Sequence, residues 1–233
     1  MTRRRWIADE FSETHAAVTG EHADHLIRVL RARVGQEFDI ATGPVVRLGR
    51  VAQIEDSRVA FELGEQIASA LVADLTLLLA IFKFDRMEWA IEKCTELGVA
   101  QIVPVIARRT DAHLAQAAAK RAERWRRLAL QAAEQSRRAV PPEIASPIKL
   151  ADAIGLEPSA LRIVLAESEH QTMLRDVLDR SSKQIALAIG PEGGWAHDEL
   201  QLFHKDGWIS ASLGPTILRA ETAAISAVAI ALT

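Results

Sequence analysis

Residues 184–200 read QIALAIGPEGGWAHDEL, an apolar strand-like run that breaks into Gly190-Pro191-Glu192-Gly193-Gly194 and then turns helical. Glycine-rich loops between a strand and a helix most often cradle phosphate. This loop does not fit that use. A P-loop needs Lys and then Ser or Thr after its last glycine, whereas Trp195 and Ala196 follow here. The dinucleotide pattern G-x-G-x-x-G is not matched, and Glu192 at the loop centre would repel a pyrophosphate. Two glycines and a proline instead offer unobstructed backbone N–H and C=O groups at fixed geometry, which suits an adenine edge and a ribose. A plain tight turn before a helix is the competing reading.

From residue 74 onward the chain alternates strands and helices around that loop. LTLLLAIF (75–82), QIVPVIA (101–107), LRIVLA (161–166), QIALAIG (184–190) and WISASL (208–213) are short apolar runs, as in a parallel sheet covered on both faces. The spacing predicts helices over 85–97, 117–138, 171–181 and 197–206. A last helix over 220–232 is apolar almost all round, which places it in the core or at a subunit contact. Asp85 with Glu88 resembles a capping box, Met87, Ala90, Ile91, Cys94 and Leu97 share one face, and Gly98 stands where a C′ glycine belongs. The pattern implies an α/β domain with a mostly parallel sheet. Ligands in such sheets bind beyond the carboxyl ends of the strands. Three of those ends are unusual: LAES (165–168), GPEGG (190–194) and LGPTILRAET (213–222). All three leave the same edge.

Residues 1–70 have a different texture. EFDIATG (37–43), VRLGRVAQIED (46–56) and RVAFELGEQ (58–66) are strand-like runs separated by turn residues. EHADHLIRVLR (21–31) sets Leu26, Val29 and Leu30 on one helical face. The reading is a small β-barrel-like module at 1–70, a linker near 64–74, and the α/β domain at 74–233.

The formal net charge of −3 argues against a protein that coats nucleic acid unselectively. Residues 1–70 hold 9 basic and 11 acidic side chains and the remainder 19 and 20, so an RNA site must come from local clustering. Residues 120–138 supply one, with seven basic side chains against two acidic; Lys120, Arg124 and Arg127 share a face, and Trp125, Leu128, Ala129 and Ala132 another. The single cysteine, Cys94, allows no internal disulfide and fits a reducing cytosol and a buried thiol. No apolar run has the length of a membrane span or a signal peptide core, so a cytoplasmic location and no membrane are expected. His22 and His25 lack further ligands in the sequence, and no metal is expected.

LAIGPEGGWAHDEL (187–200) followed by SLGPTILRAETAAISAVAIAL (212–232) resembles the paired C-terminal motifs of the RsmE family. These are SPOUT-class methyltransferases that make N3-methyluridine (the U1498 type) in bacterial 16S ribosomal RNA. HLIRVLR (25–31) with GQEF (35–38), KFDRMEWAIEKCTELGVAQIVPV (83–105) and RWRRLALQAAEQSRRAVPPEI (124–144) are similar to further stretches of that family, in order along the chain. The resemblance implies a PUA-like RNA-binding barrel, a SPOUT domain tied in a deep trefoil knot, a homodimer, and S-adenosylmethionine bound in the knot. It assigns Leu165, Ala166, Glu167, Gly190, Pro191, Glu192, Gly193, Gly194, Leu213, Gly214, Ile217, Leu218, Arg219 and Thr222 to the cofactor. It assigns Arg28, Arg31, Arg109, Arg124 and Arg127 to rRNA of the small subunit. A catalytically weak RNA-binding or ribosome-assembly protein of the same fold is the alternative.

Methylating uridine at N3 requires loss of the imide proton while charge spreads over N3, O2 and O4. Arg219 is the candidate to stabilise those oxygens, because a guanidinium offers planar, forked donors. An ordinary ion pair of Arg219 with Glu221 or Glu192 is the alternative. Glu192 is a candidate general base, with a loop-organising role as its alternative. The sequence departs from the family at three nearby positions: Ala220 stands where Thr is usual, Ala196 where a Ser cap is common, and Phe84 where Gly is usual.

Overall fold

The computed structural model describes residues 4–43, 45–67, 74–158, 160–179, 182 and 184–232. Two compact units result, residues 1–71 with 133–141, and residues 72–132 with 142–233. Of the linker expected near 64–74, residues 64–67 instead end one strand and residue 74 begins the next, while residues 68–73 lie outside the described residues.

The first unit contains β1 (Arg5–Ile7), β2 (Glu10–Phe11), β3 (His15–Thr19), α1 (Gly20–Asp24), β4 (Glu37–Thr42), β5 (Val45–Glu55) and β6 (Arg58–Ile67). The sheet order is β1-β4-β5-β6-β3-β2, with only the β1–β4 pair parallel. All three expected strands form. Register shifts at Arg47/Gly49 and Val51/Gln53 bend the long β5–β6 pair. Gly49 is required where β5 pairs with β4, since a Cβ there would run into the Ile40 side chain. Trp6, Val18, Leu26, Phe38, Ile40 and Phe61 are among the core residues.

The expected helical face of Leu26, Val29 and Leu30 is corrected by the structure. α1 runs on into a π-helical turn over His25–Val29, in which Leu30 N–H donates to the His25 carbonyl at 3.0 Å. The wider turn changes the angular spacing of side chains. Leu26 stays fully buried, whereas Val29 is 64% exposed.

The second unit contains β7 (Asp74–Ala80), α2 (Phe84–Leu97), β8 (Gln101–Ile106), α3 (Ala112–Gln135) as far as residue 132, β9 (Glu143–Ile144) and β10 (Ile148–Lys149), the last residues of α3 counting with the first unit. It continues with α4 (Leu150–Ala153), β11 (Leu161–Leu165), α5 (Leu174–Val177), β12 (Gln184–Ile189), α6 (His197–Lys205), β13 (Ile209–Ala211) and α7 (Ala220–Leu232). The sheet order is β10-β8-β7-β12-β11-β13, β9 pairs β8, and every pairing is parallel. Strand periodicity feeds two layers. Leu75, Leu77, Leu79, Leu187 and Ile189 join the core under α2, α3 and α7, while Leu78, Ala80, Ala186 and Ala188 join that under α4 and α6.

Three helices differ from expectation, α3 by running over Ala112–Gln135 rather than 117–138. α2 begins one residue earlier, behind Lys83, which gives no side-chain cap, and Glu88 is not part of a capping box. Its carboxylate instead accepts from Arg124 Nε and Nη2 at 2.8 and 2.9 Å. Gly98 closes α2 at φ 113°, a conformation open to glycine at little cost. The helix expected over 171–181 contracts to the single turn α5. Residues 172–174 are instead drawn alongside the end of β13, where Leu174 N–H donates to Ser212 C=O and Ser212 N–H to Thr172 C=O, each at 2.8 Å. α7 buries Ala220, Ala224, Ala227 and Val228 but leaves Ile230 38% exposed. Among the described residues no helix is long and apolar enough to cross a membrane.

Candidate active site

β12, β11 and β13 are neighbours in that order, so their parallel carboxyl ends deliver three loops to one place. These loops enclose a cavity of about 870 Å³, within the usual range for small-molecule sites. Every residue expected at the cofactor lines it except Thr222, which is exposed on the first turn of α7.

The glycine loop is shaped by what surrounds it. Gly194 N–H donates to the Pro191 carbonyl at 2.8 Å, closing a turn, and Gly194 takes φ 68°. A Cβ at Gly190 would meet the Trp195 ring at 3.3 Å, and one at Gly193 would meet Arg109 Cδ at 3.4 Å. Arg109 Nη1 donates to the Gly193 carbonyl at 2.6 Å and reaches the Trp195 carbonyl at 3.4 Å. Arg109, expected at RNA, therefore pins this loop and also lines the cavity.

α6 starts from the same loop without a capping side chain, because Ala196 has no acceptor. The buried Glu199 supplies the reciprocal half of a capping box: its Oε2 accepts from Ala196 N–H at 2.8 Å. Its Oε1 accepts from Arg108 N–H at 2.7 Å, tying the start of α6 to the residues after β8.

Charge in the cavity is arranged around Arg86. Its Nη1 donates to Glu192 Oε1 at 2.8 Å, and its Nε lies 3.8 Å from Oε1 of the buried Glu221. The Arg219 side chain lines the cavity, and its guanidinium makes no hydrogen bond or ion pair to any described residue. The ion pair weighed for Arg219 with Glu221 or Glu192 is thus not formed. Sequence reasoning missed Arg86, although one signal was available. A cation in the first turn of a helix opposes the helix dipole and asks for another reason to be there.

The cavity fits a nucleoside better than a phosphate. Leu165, Ile189 and Leu218 give apolar wall, the glycine loop gives backbone polar groups, and Glu167 gives a carboxylate close to Gly194. No lysine lines it among the described residues.

Residues 69–232 match the family model for an RNA methyltransferase domain. The chain is 33% identical over 217 residues to the ribosomal RNA small subunit methyltransferase E of Rickettsia conorii, covering 91% of this chain and 87% of that protein. This chain belongs to the RsmE family of RNA methyltransferases. The RsmE protein of Aquifex aeolicus is 29% identical over 87% of this chain and 88% of its own length. The crystal structure of RsmE from Neisseria gonorrhoeae, bound to S-adenosyl methionine, superposes with a TM-score of 0.87 at 28% identity, covering 98% of this chain and 96% of that one. A methyltransferase from Legionella pneumophila in complex with the same cofactor gives a TM-score of 0.85 at 28% identity, over 99% and 97% of the two chains.

The other expected contacts of this RsmE chain fall as follows. Arg28 is exposed near Asp24, 4.0 Å away, and Arg31 holds φ 50° just after the π-helical turn. Arg124 is paired with Glu88, whereas the Arg127 side chain is exposed and makes no hydrogen bond or ion pair to any described residue. Phe84 sits edge-on to Trp125 with centroids 5.8 Å apart, and the Arg121 guanidinium lies 5.0 Å from its ring centre. Phe84 therefore braces α2 against α3. Among the described residues no three His, Cys, Asp or Glu side chains cluster as metal ligands. His22 Nε2 lies 3.4 Å from Glu134 Oε2 instead.

Proposed function

We infer that this protein is an S-adenosylmethionine-dependent methyltransferase acting on N3 of a uridine in the 16S ribosomal RNA of the small subunit. One observation carries this reading beyond the family likeness. A guanidinium without a partner among the described residues, that of Arg219, lines a cavity walled by three converging backbone loops. When bound, S-adenosylmethionine supplies an electrophilic methyl group on a sulfonium sulfur. The rest is the work of this chain. The backbone of the glycine loop suits the adenine edge, and Glu167 suits ribose hydroxyls. Arg219 stabilises the charge that develops on the uracil oxygens once the imide proton has left to water. Holding both reactants in one cavity supplies much of the remaining rate. Glu192, engaged by Arg86, organises its loop rather than taking that proton.

Residues 1–70 serve in this reading as a PUA-like RNA-binding barrel, and residues 74–233 as a SPOUT domain with a trefoil knot. The protein works as a cytoplasmic homodimer without metal. Arg28, Arg31 and the Arg124–Arg127 face contact rRNA phosphates, where Arg127 is free to do so and Arg124 is shared with Glu88.

Titration calorimetry with S-adenosylmethionine tests the reading. One saturable binding event is expected, lost in Gly190→Val, whose side chain would run into Trp195. Absence of binding by the wild-type protein would favour a non-catalytic RNA-binding role instead.

A further inference from the structure

We propose that Arg86 is a positioning residue for the methyl-transfer site: by holding Glu192 and Glu221 it keeps the Arg219 guanidinium unpaired and available to the substrate. This rests on the function inferred above and deepens it.

Three cations approach the cavity, and two are occupied. Arg109 is spent on the Gly193 and Trp195 carbonyls, and Arg86 on the two carboxylates. Of the three, only the Arg219 guanidinium is free among the described residues. Glu192 lines the same cavity as Arg219, and Glu221 follows Arg219 by two residues. Their demand for a cation is strong. Glu221 is 3% exposed, and its buried Oε2 has no hydrogen-bond partner, a costly state for a carboxylate with no charge opposite it. Without Arg86, the remaining guanidinium would be drawn to them. Helix stability does not explain Arg86, which sits in the first turn of α2, where the dipole disfavours a positive charge.

The test uses the full-length protein in two assays. Labelling with phenylglyoxal, read at Arg219 by peptide mass spectrometry, needs no substrate and reports whether that guanidinium is free. Arg219 should label at least ~threefold more slowly in Arg86→Gln than in wild type, and near the wild-type rate in Arg86→Lys, which retains a cation. Equal labelling in wild type and Arg86→Gln would overturn the proposal. Should Arg86→Gln fail to fold, Arg86→Met carries the same comparison. The second assay is methyl transfer in a double-mutant cycle. Arg86→Gln should cost at least ~tenfold in the wild-type background but under ~twofold in an Arg219→Ala background, because its effect passes through Arg219. Equal losses in the two backgrounds would mark Arg86 as merely structural. A wild-type protein without methyl transfer would remove the functional reading, and the labelling would still decide what Arg86 does.

Discussion

Arg86 and Glu192, 106 residues apart in the chain, are joined by a hydrogen bond of 2.8 Å between Nη1 and Oε1. The same arginine reaches Glu221 at the start of α7. This single side chain settles the charge of the glycine loop and leaves Arg219 as the free guanidinium in the cavity. Arg219→Ala should therefore lower methyl transfer by at least ~tenfold, about 1.4 kcal/mol of transition-state stabilisation, without changing the melting temperature. Wild-type turnover in that variant would remove Arg219 from the chemistry.

Gly194 should tolerate no side chain. Its φ of 68° costs an L-residue about 1–2 kcal/mol, and the Glu167 carboxylate lies 3.7 Å from where a Cβ would stand. Gly194→Ala should weaken S-adenosylmethionine binding about tenfold by calorimetry, as the strain is relieved by shifting the loop. Unchanged affinity would show that the loop backbone does not contact the cofactor.

Stability of the first unit should depend on pH through Glu134. Burial pushes its carboxyl up to about 7, with Asp9 adding to the shift and the Ile7 backbone hydrogen bond opposing it. The folded value lies above the ordinary 4.5, so the contribution is full below 4.5 and is lost as pH rises through 7. Solvent at the edge of the site and the nearby His22 trim the effect. Between pH 4.5 and 8 the wild type should lose about 1–2 kcal/mol relative to Glu134→Gln in urea titrations. Parallel pH profiles for the two proteins would contradict the assignment.

Cys94 should be inert while the protein is folded. It is fully buried on α2, and burial pushes its thiol up to about 12, so little thiolate is available. A disulfide reagent at pH 8 should react stoichiometrically in guanidinium but not under native conditions. Rapid native reaction would mean that α2 opens locally.

Much of the fold was legible because it is written in local patterns. β7, β8, β11 and β12 appear as continuous apolar runs, since a parallel strand buried on both faces has no polar side to show. β1 and β2, at three and two residues, are too short to establish any alternation. Val29 was misplaced because a π-helical turn breaks the 3.6-residue spacing from which its burial was read. The 171–181 helix failed for a non-local reason, the pairing of residues 172–174 with Ser212. At the site, the three loops could be read from their composition and from the parallel topology. The role of Arg86 could not, since it depends on two carboxylates more than 100 residues away in sequence.

Mass mapping of 16S rRNA from cells with and without this protein bears on the proposed reaction with the fewest intermediate assumptions. Cells lacking the protein should lose one methyl group on N3 of a single uridine, and purified wild-type protein with S-adenosylmethionine should restore it to their small subunits. An unchanged methylation map, or no transfer to those subunits, would contradict the assigned activity.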